Sequence, residues 1–244
     1  MRRTTPEERV TAMEESKRVM RFNPAERLAH WSHTVTFLTL LVTGLALVFR
    51  GFGNLLGPAG IRFGQTLHHF MAYPFTFLTA LILILGTRET TLRWLRDVFA
   101  WGKEDFAFLS RFPREFFGLK AELPAQGKFN AGEKVNSLLT ILGSVLMAAT
   151  GWIMLFRDHF SKQVLAAAYP LHDLGALLMG AVIIGHAYLA LGHPNSRESI
   201  KGMLFGTVSE KFAREHHANW YEELNGQEPT GPRGQTSGTS HAAS

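Results

Sequence analysis

The chain has 244 residues, 46% of them apolar, with no cysteine and a formal net charge of +5. That length allows one or two domains. The absence of thiols excludes disulfides, iron–sulfur ligation, zinc–thiolate sites and the C-x-x-C-H attachment of c-type haem within the chain. Nucleic-acid binding fits poorly, because Lys and Arg flank apolar stretches instead of gathering on one domain face. The opening MRRTTPEERVTAMEESKRVM is too charged for a secretory signal.

Residues 1–22 read as a flexible, charged arm. Asn23-Pro24-Ala25-Glu26 then carries the marks of a helix start: Asn as N-cap, Pro in the first turn and Glu closing a capping box. No charge occurs between Arg27 and Arg50, Arg62 and Arg88, or Lys134 and Arg157, and only Asp173 lies between Lys162 and Arg197. Each gap holds the roughly 20 residues that cross a bilayer. The spacing predicts an all-α membrane protein, with one four-helix domain over 23–226 and spans at about 28–49, 63–87, 135–156 and 169–191. Gly51–Gly60 reads as the turn between the first two spans, and Pro74 as a kink that membrane helices tolerate.

Residues 88–134 interleave Trp94, Trp101, Phe106, Phe108, Phe112, Phe116 and Phe117 with Arg and Lys, the pattern of short amphipathic helices lying on a membrane surface. The third span carries Gly143, Ser144, Ala148, Ala149 and Gly151, which permit close helix packing. Residues 207–224 read as one further helix with Phe212, Trp220 and Leu224 available for docking, and 227–244 as a disordered tail. No internal repeat is evident along the chain.

Lys and Arg number seven in residues 1–29, nine in 88–134 and five in 192–244, against two in 50–66 and two in 157–171. With four spans the first three segments share one side, and the positive-inside rule predicts that this side, with both termini, is cytoplasmic.

Four histidines then stand at or near the ends of spans: His30, His68, His172 and His186. His172 and His186 are fourteen residues apart, about 21 Å along a helix and within about 40° of one face. Depth pairs His68 with His172 on the outer side and His30 with His186 on the cytoplasmic side. Imidazole is costly in lipid unless paired, and it is the commonest protein ligand of haem iron. Two depth-matched pairs predict two non-covalent haems, one near each face. Structural histidines in a membrane anchor are the alternative. His33, His69 and His193 are read as hydrogen-bonding or boundary residues, and His216 and His217 as surface residues.

RFNPAERLAHW (21–31), Leu67-His68, KFNAGEKVN (128–136), LHDLGALLMGAVIIGHAYLA (171–190) and SIKGMLFGTVSEKFAREHHANWYEEL (199–224) resemble the cytochrome b, or gamma, subunit of membrane-bound bacterial formate dehydrogenases. The resemblance covers most of the chain. It implies a dihaem b core in the inner membrane, with His68 and His172 on the periplasmic haem and His30 and His186 on the cytoplasmic one. It implies a periplasmic iron–sulfur beta subunit and a molybdenum- or tungsten-type catalytic alpha subunit as partners, and it leaves open a higher oligomer of the complex. Electrons would pass inward to a quinone, menaquinone or ubiquinone, held by Asn130, Ala131, Gly132, Glu133 and His186. Formate oxidation would belong to another subunit. Glu133 stands where some members have Gln, so both a proton-passing role and a helix-capping role stay open. The histidines alone would equally suit the cytochrome b subunit of a nickel–iron hydrogenase or another periplasmic oxidoreductase, or a stand-alone cytochrome b.

Overall fold

The computed structural model describes residues 17–86 and 88–226, with nothing described of the Arg50 side chain. The predicted tail at 227–244 and most of the predicted arm lie outside the described residues. The chain runs β1 (Arg18–Met20), α1 (Pro24–Val48), α2 (Arg50–Tyr73), a π-helical turn (Pro74–Leu78), α3 (Thr79–Gly86), α4 (Arg88–Phe99), α5 (Lys103–Phe116), α6 (Ala131–Leu155), a short 3-10 turn, α7 (Lys162–Ala187), a second π turn (Tyr188–Gly192), α8 (Ser199–Phe205), β2 (Thr207–Ser209), α9 (Glu210–His216) and α10 (Ala218–Leu224).

Four rods among the described residues are long and apolar enough to cross a membrane: Pro24–Val48, Gly51–Gly86, Ala131–Leu155 and Lys162–Gly192. Large apolar side chains such as Val42, Leu85, Leu142 and Ile184 point outward along them, as expected of helices whose solvent is lipid. α1 begins at the predicted Pro24, whereas the other three rods begin four to twelve residues before their predicted spans. The largest departure is Gly51–Gly60, read as one turn: it is two helical stretches that meet at a break at Gly57. There φ is 64°, a conformation open to glycine and strained for other residues. Pro74 opens a π turn, and Trp152 Nε1 donates to Thr76 Oγ1 within that turn at 3.1 Å.

α1 and α6 follow one pattern. Arg21/Lys128, Phe22/Phe129, Asn23/Asn130, Glu26/Glu133, Thr43/Thr150, Gly44/Gly151 and Phe49/Phe156 all stand at an offset of 107 residues. Both helices have 25 residues, both are closed by an Asn/Glu capping box, and their N-caps share φ near −75° and ψ of 166°. The two halves exchange ion pairs: Arg21 Nη2 meets Glu133 Oε1 at 2.9 Å, and Lys128 Nζ meets Glu26 Oε1 at 3.0 Å. Equivalent residues on each half thus grip the other half's cap, as in an isologous two-fold contact. The absence of a repeat read from the sequence is corrected here. Apolar residues interchange freely along α1 and α6, so only caps, Thr-Gly pairs and terminal aromatics carry the signal.

The remaining elements gather at the capped end. β1 pairs antiparallel with β2, so residues 18–20, predicted as part of the flexible arm, are an ordered strand. The single helix predicted over 207–224 is instead β2, α9 and α10, with His217 at the break. Val208, Phe212, Ala213 and Trp220 form their own core, covered by Val19 and Tyr221. Leu224, read as a docking residue, is exposed. α8 is held to α1 through Trp31 Nε1 and Arg27 Nε, which donate to Met203 O at 3.0 and 3.1 Å. α5 is tied to α6 by Lys134 Nζ, which donates to Asp105 Oδ1 at 2.8 Å and to Ala100 O at 2.9 Å.

Lys134 and Asp105 are both buried, and removing one partner of such a pair strands the other charge. Lys134→Met is expected to lower the unfolding free energy by about 3 kcal/mol in a detergent melt. Arg157→Met, whose partner Asp158 is exposed at 3.9 Å, is expected to leave stability within about 0.5 kcal/mol of the parent. Equal melting of Lys134→Met and the parent would contradict this tether.

Candidate functional site

The structure brings the four depth-matched histidines together as the two predicted pairs. His68 on α2 faces His172 on α7, with ring centroids 6.3 Å apart and planes 69° from parallel. His30 on α1 faces His186, also on α7, again at 6.3 Å and at 51°. The His30/His186 pair lies at the capped end and the His68/His172 pair toward the opposite end. α7 supplies one member of each because fourteen helical residues bring the side chain back near the same face about 21 Å further on.

Equal separation has a chemical meaning. Imidazole nitrogens bind metals at about 2 Å, and each ring centre lies ~1.1 Å behind its nitrogen, so two rings trans on one metal stand about 6 Å apart. Imidazoles hydrogen-bonded directly to each other would stand closer, about 5 Å between ring centres. No group of three or more His, Cys, Asp or Glu side chains that could hold a metal ion occurs among the described residues. The donor sets are therefore two-ligand sites, which suit an iron whose other four ligands come from a macrocycle.

The space beside the far pair is kept by glycines. A Cβ on Gly44 would stand 3.3 Å from His68 Cε1, and one on Gly151 would stand 3.3 Å from His172 Cε1. The neighbouring threonines touch the same rings: Thr43 Oγ1 is 2.9 Å from His68 Nδ1, and Thr150 Oγ1 is 2.8 Å from His172 Nδ1. These Thr-Gly pairs are equivalent in the repeat. The sequence reading missed both threonines; their signal was the recurrence of Thr-Gly at the repeat offset.

Beside His186 lies a cavity of about 280 Å³, lined among others by Asn130, Gly132, Glu133, His216 and His217. Gly185 leaves open space there, since nothing stands within 4 Å of a Cβ built on it. Of the residues read as a quinone site, four line this cavity. Ala131 does not: it is fully buried, with its N–H donating to Gln126 Oε1 at 2.8 Å. Asn130 Oδ1 accepts from Glu133 N at 2.9 Å, and Glu133 Oε2 accepts from Asn130 N at 3.0 Å. The Glu133 carboxylate also receives Arg21 Nη2 on both oxygens, at 2.9 and 3.0 Å. Its capping role is thus realised, and the Asn130 side-chain amide N–H groups remain as donors beside the cavity.

Other histidines fall in different places. His193 is buried, its Nε2–H donating to Glu115 O at 2.7 Å and its Nδ1 accepting from Ser196 Oγ at 3.2 Å. With both nitrogens used it closes the second π turn, as the boundary reading expects. His217 is not a surface residue, and His216 is half-buried. His217 is 1% exposed, its Nδ1–H donates to Gly127 O at 2.8 Å, and it packs between Phe212 and Trp220. The break between α9 and α10 turns it inward, which an unbroken helix over 207–224 would not. His33 stacks on Phe37 and tilts against Phe75.

Four membrane-length helices carrying two facing histidine pairs define a multi-pass membrane protein with paired-imidazole sites. Residues 21–206 match the prokaryotic cytochrome b561 family, and the chain belongs to it. Haem b is the prosthetic group that this family implies, and the pair spacing fits it. The chain is 27% identical to the formate dehydrogenase cytochrome b556 subunit of Haemophilus influenzae, with 84% of this chain and 83% of that protein covered. It is 26% identical to the nitrate-inducible formate dehydrogenase cytochrome b556(Fdn) subunit of Escherichia coli K12, covering 87% and 94%. It is 27% identical to the formate dehydrogenase cytochrome b556(fdo) subunit of the same strain, covering 84% and 93%.

Burial, reinforced by the Arg21 guanidinium, pushes His217 down to about 3, while an unfolded histidine titrates near 6.5. Unfolding therefore takes up a proton below pH 6.5, so the stability His217 confers is complete above that pH and falls as pH drops toward 3. Between pH 8 and pH 5 this one group is expected to cost about 2 kcal/mol. Unfolding in detergent at the two pH values is expected to give a His217→Gln protein whose loss is smaller than the parent's by about that amount. Identical losses in both proteins would contradict a buried, neutral His217.

Proposed function

We propose that this chain is the dihaem cytochrome b membrane subunit of a formate dehydrogenase complex in the bacterial inner membrane. The observation that carries the reading is the recurrence of one spacing, 6.3 Å, in two histidine pairs at two depths. His68 and His172 hold the outer haem b, and His30 and His186 hold the inner one. When bound, the two haems supply reversible one-electron transfer, linking an outer electron donor to a quinone at the inner side. The names of the relatives, each a subunit of a formate dehydrogenase, support a formate-oxidising partner; an iron–sulfur subunit on the periplasmic face completes the electron path in this reading.

The capped end is the cytoplasmic end, because it holds the Lys- and Arg-rich segments 88–134 and 192–226. The cavity beside His186 then opens where a quinone can meet cytoplasmic protons. Asn130 donates from its side-chain amide to a quinone carbonyl, and Gly132 lets the ring approach the backbone. Glu133 holds Asn130 in place through the cap, and Ala131 fixes the turn from behind. His186, which lines the cavity, would also hold the inner haem. Two electrons and two protons convert the quinone to its quinol; His216 and His217 line the same cavity.

Pyridine haemochrome analysis of the purified complex is expected to give two haem b per chain. His172→Ala and His30→Ala are each expected to give one. No haem, or two haems in His172→Ala, sinks the ligand assignment. Asn130→Ala is expected to keep both haems and raise the KM for quinone about tenfold, the loss of a hydrogen bond worth about 1.4 kcal/mol. An unchanged KM removes Asn130 from the quinone site. A nickel–iron large subunit purifying with the chain would replace formate dehydrogenase as its complex.

A further inference from the structure

The two threonines at the far pair do more than satisfy their own hydroxyls. Thr43 Oγ1 lies 2.7 Å from Thr39 O, and Thr150 Oγ1 lies 2.7 Å from Leu146 O. A carbonyl only accepts, so each hydroxyl proton is committed to the helix turn above it. What each oxygen offers its histidine is a lone pair. The bonds to Nδ1, at 2.9 and 2.8 Å, are therefore donated by the rings. His68 and His172 are both held as Nδ1–H tautomers, with Nε2 left as the one lone pair on each ring.

Threonines that bond back to their own helix are common in apolar helices, and Thr34, Thr36 and Thr39 of α1 do so as well. Among the described residues only Thr43 and Thr150 also meet a histidine nitrogen. They do so at equivalent positions of the repeat, each followed by the glycine that a Cβ would push into the same ring. The near pair differs: His30 Nδ1 is buried and has no hydrogen-bond partner among the described residues.

We propose that Thr43 and Thr150 are the positioning residues of the outer haem: each presents Nε2 of its histidine to the iron and, by accepting the ring N–H, holds the outer haem's potential below the inner one's. This rests on the haem assignment made above. A ligand imidazole that donates its second N–H becomes more basic, and a more basic ligand favours the oxidised iron. The acceptors sit on the side where electrons enter. Inward transfer opposes the membrane potential, so a downhill step between the sites assists it.

The test is a redox titration of the haem b absorption bands in the purified complex, with the outer component identified as the one missing from His172→Ala. Thr43→Val and Thr150→Val are expected to move the outer midpoint upward and leave the inner one in place. Thr43→Ser and Thr150→Ser are expected to restore the parent value. If a valine variant loses the outer haem, its serine counterpart is expected to recover both haem and potential. An unmoved outer midpoint in both valine variants, or serine variants that recover nothing, overturns the proposal. Fewer than two haem components in the parent protein overturns the haem assignment itself, whatever the threonines do.

Discussion

An imidazole inside an apolar bundle costs least when its ring nitrogens find partners, and at the far pair that constraint ties the four spans together. His68 and His172 meet it at one nitrogen through threonines of α1 and α6. Across the interior their rings face each other, leaving each second nitrogen to what lies between them. α7 takes part in both pairs, so its rotation and depth are set twice. The glycines at positions 44 and 151 let α1 and α6 approach the rings closely enough for the threonines to reach. Packing without these glycines would hold the helices apart and leave both Nδ1 groups stranded.

The two-fold relation between the halves explains why the far pair is symmetric and the near pair is not. Each half contributes a Thr-Gly pair and one histidine to the far site. At the near site, His30 of the first half stands where the second half has Ser137, and α7 alone supplies the partner. The far site is thus built from equivalent residues of both halves. The near site is not, and a cavity lies beside His186. The exchanged pairs Arg21/Glu133 and Lys128/Glu26 lock the two caps at that end. Because Arg21 is buried and belongs to the segment leading from β1, the ordered strand and the cavity wall are parts of one assembly.

Much of this was legible in the sequence. Charge-free stretches marked four spans, Asn23 marked a helix start, and helical periodicity placed His172 and His186 on one face. Depth matching then gave the pairs that the structure brings together. What escaped has physical reasons. The repeat is hidden because lipid-facing positions accept any apolar residue, leaving few constrained sites to compare. The helical stretches on either side of Gly57 were read as a turn because glycine is common in both, and only Gly57 needs its freedom. His217 looked like a surface residue because its burial depends on the break between α9 and α10, which is set by docking on distant Gly127 and Gln126. The threonines at 43 and 150 are indistinguishable from ordinary helix-bonding threonines until the rings they touch are known.

The central claim is that each histidine pair shares one iron. Anomalous scattering at the iron edge from crystals of the purified complex tests it most directly. The expected result is two iron peaks in this subunit, one between the rings of His68 and His172 and one between those of His30 and His186, about 20 Å apart, as fourteen helical residues require. Histidine pairs with no iron between them, or iron bound to other residues of this chain, would contradict it.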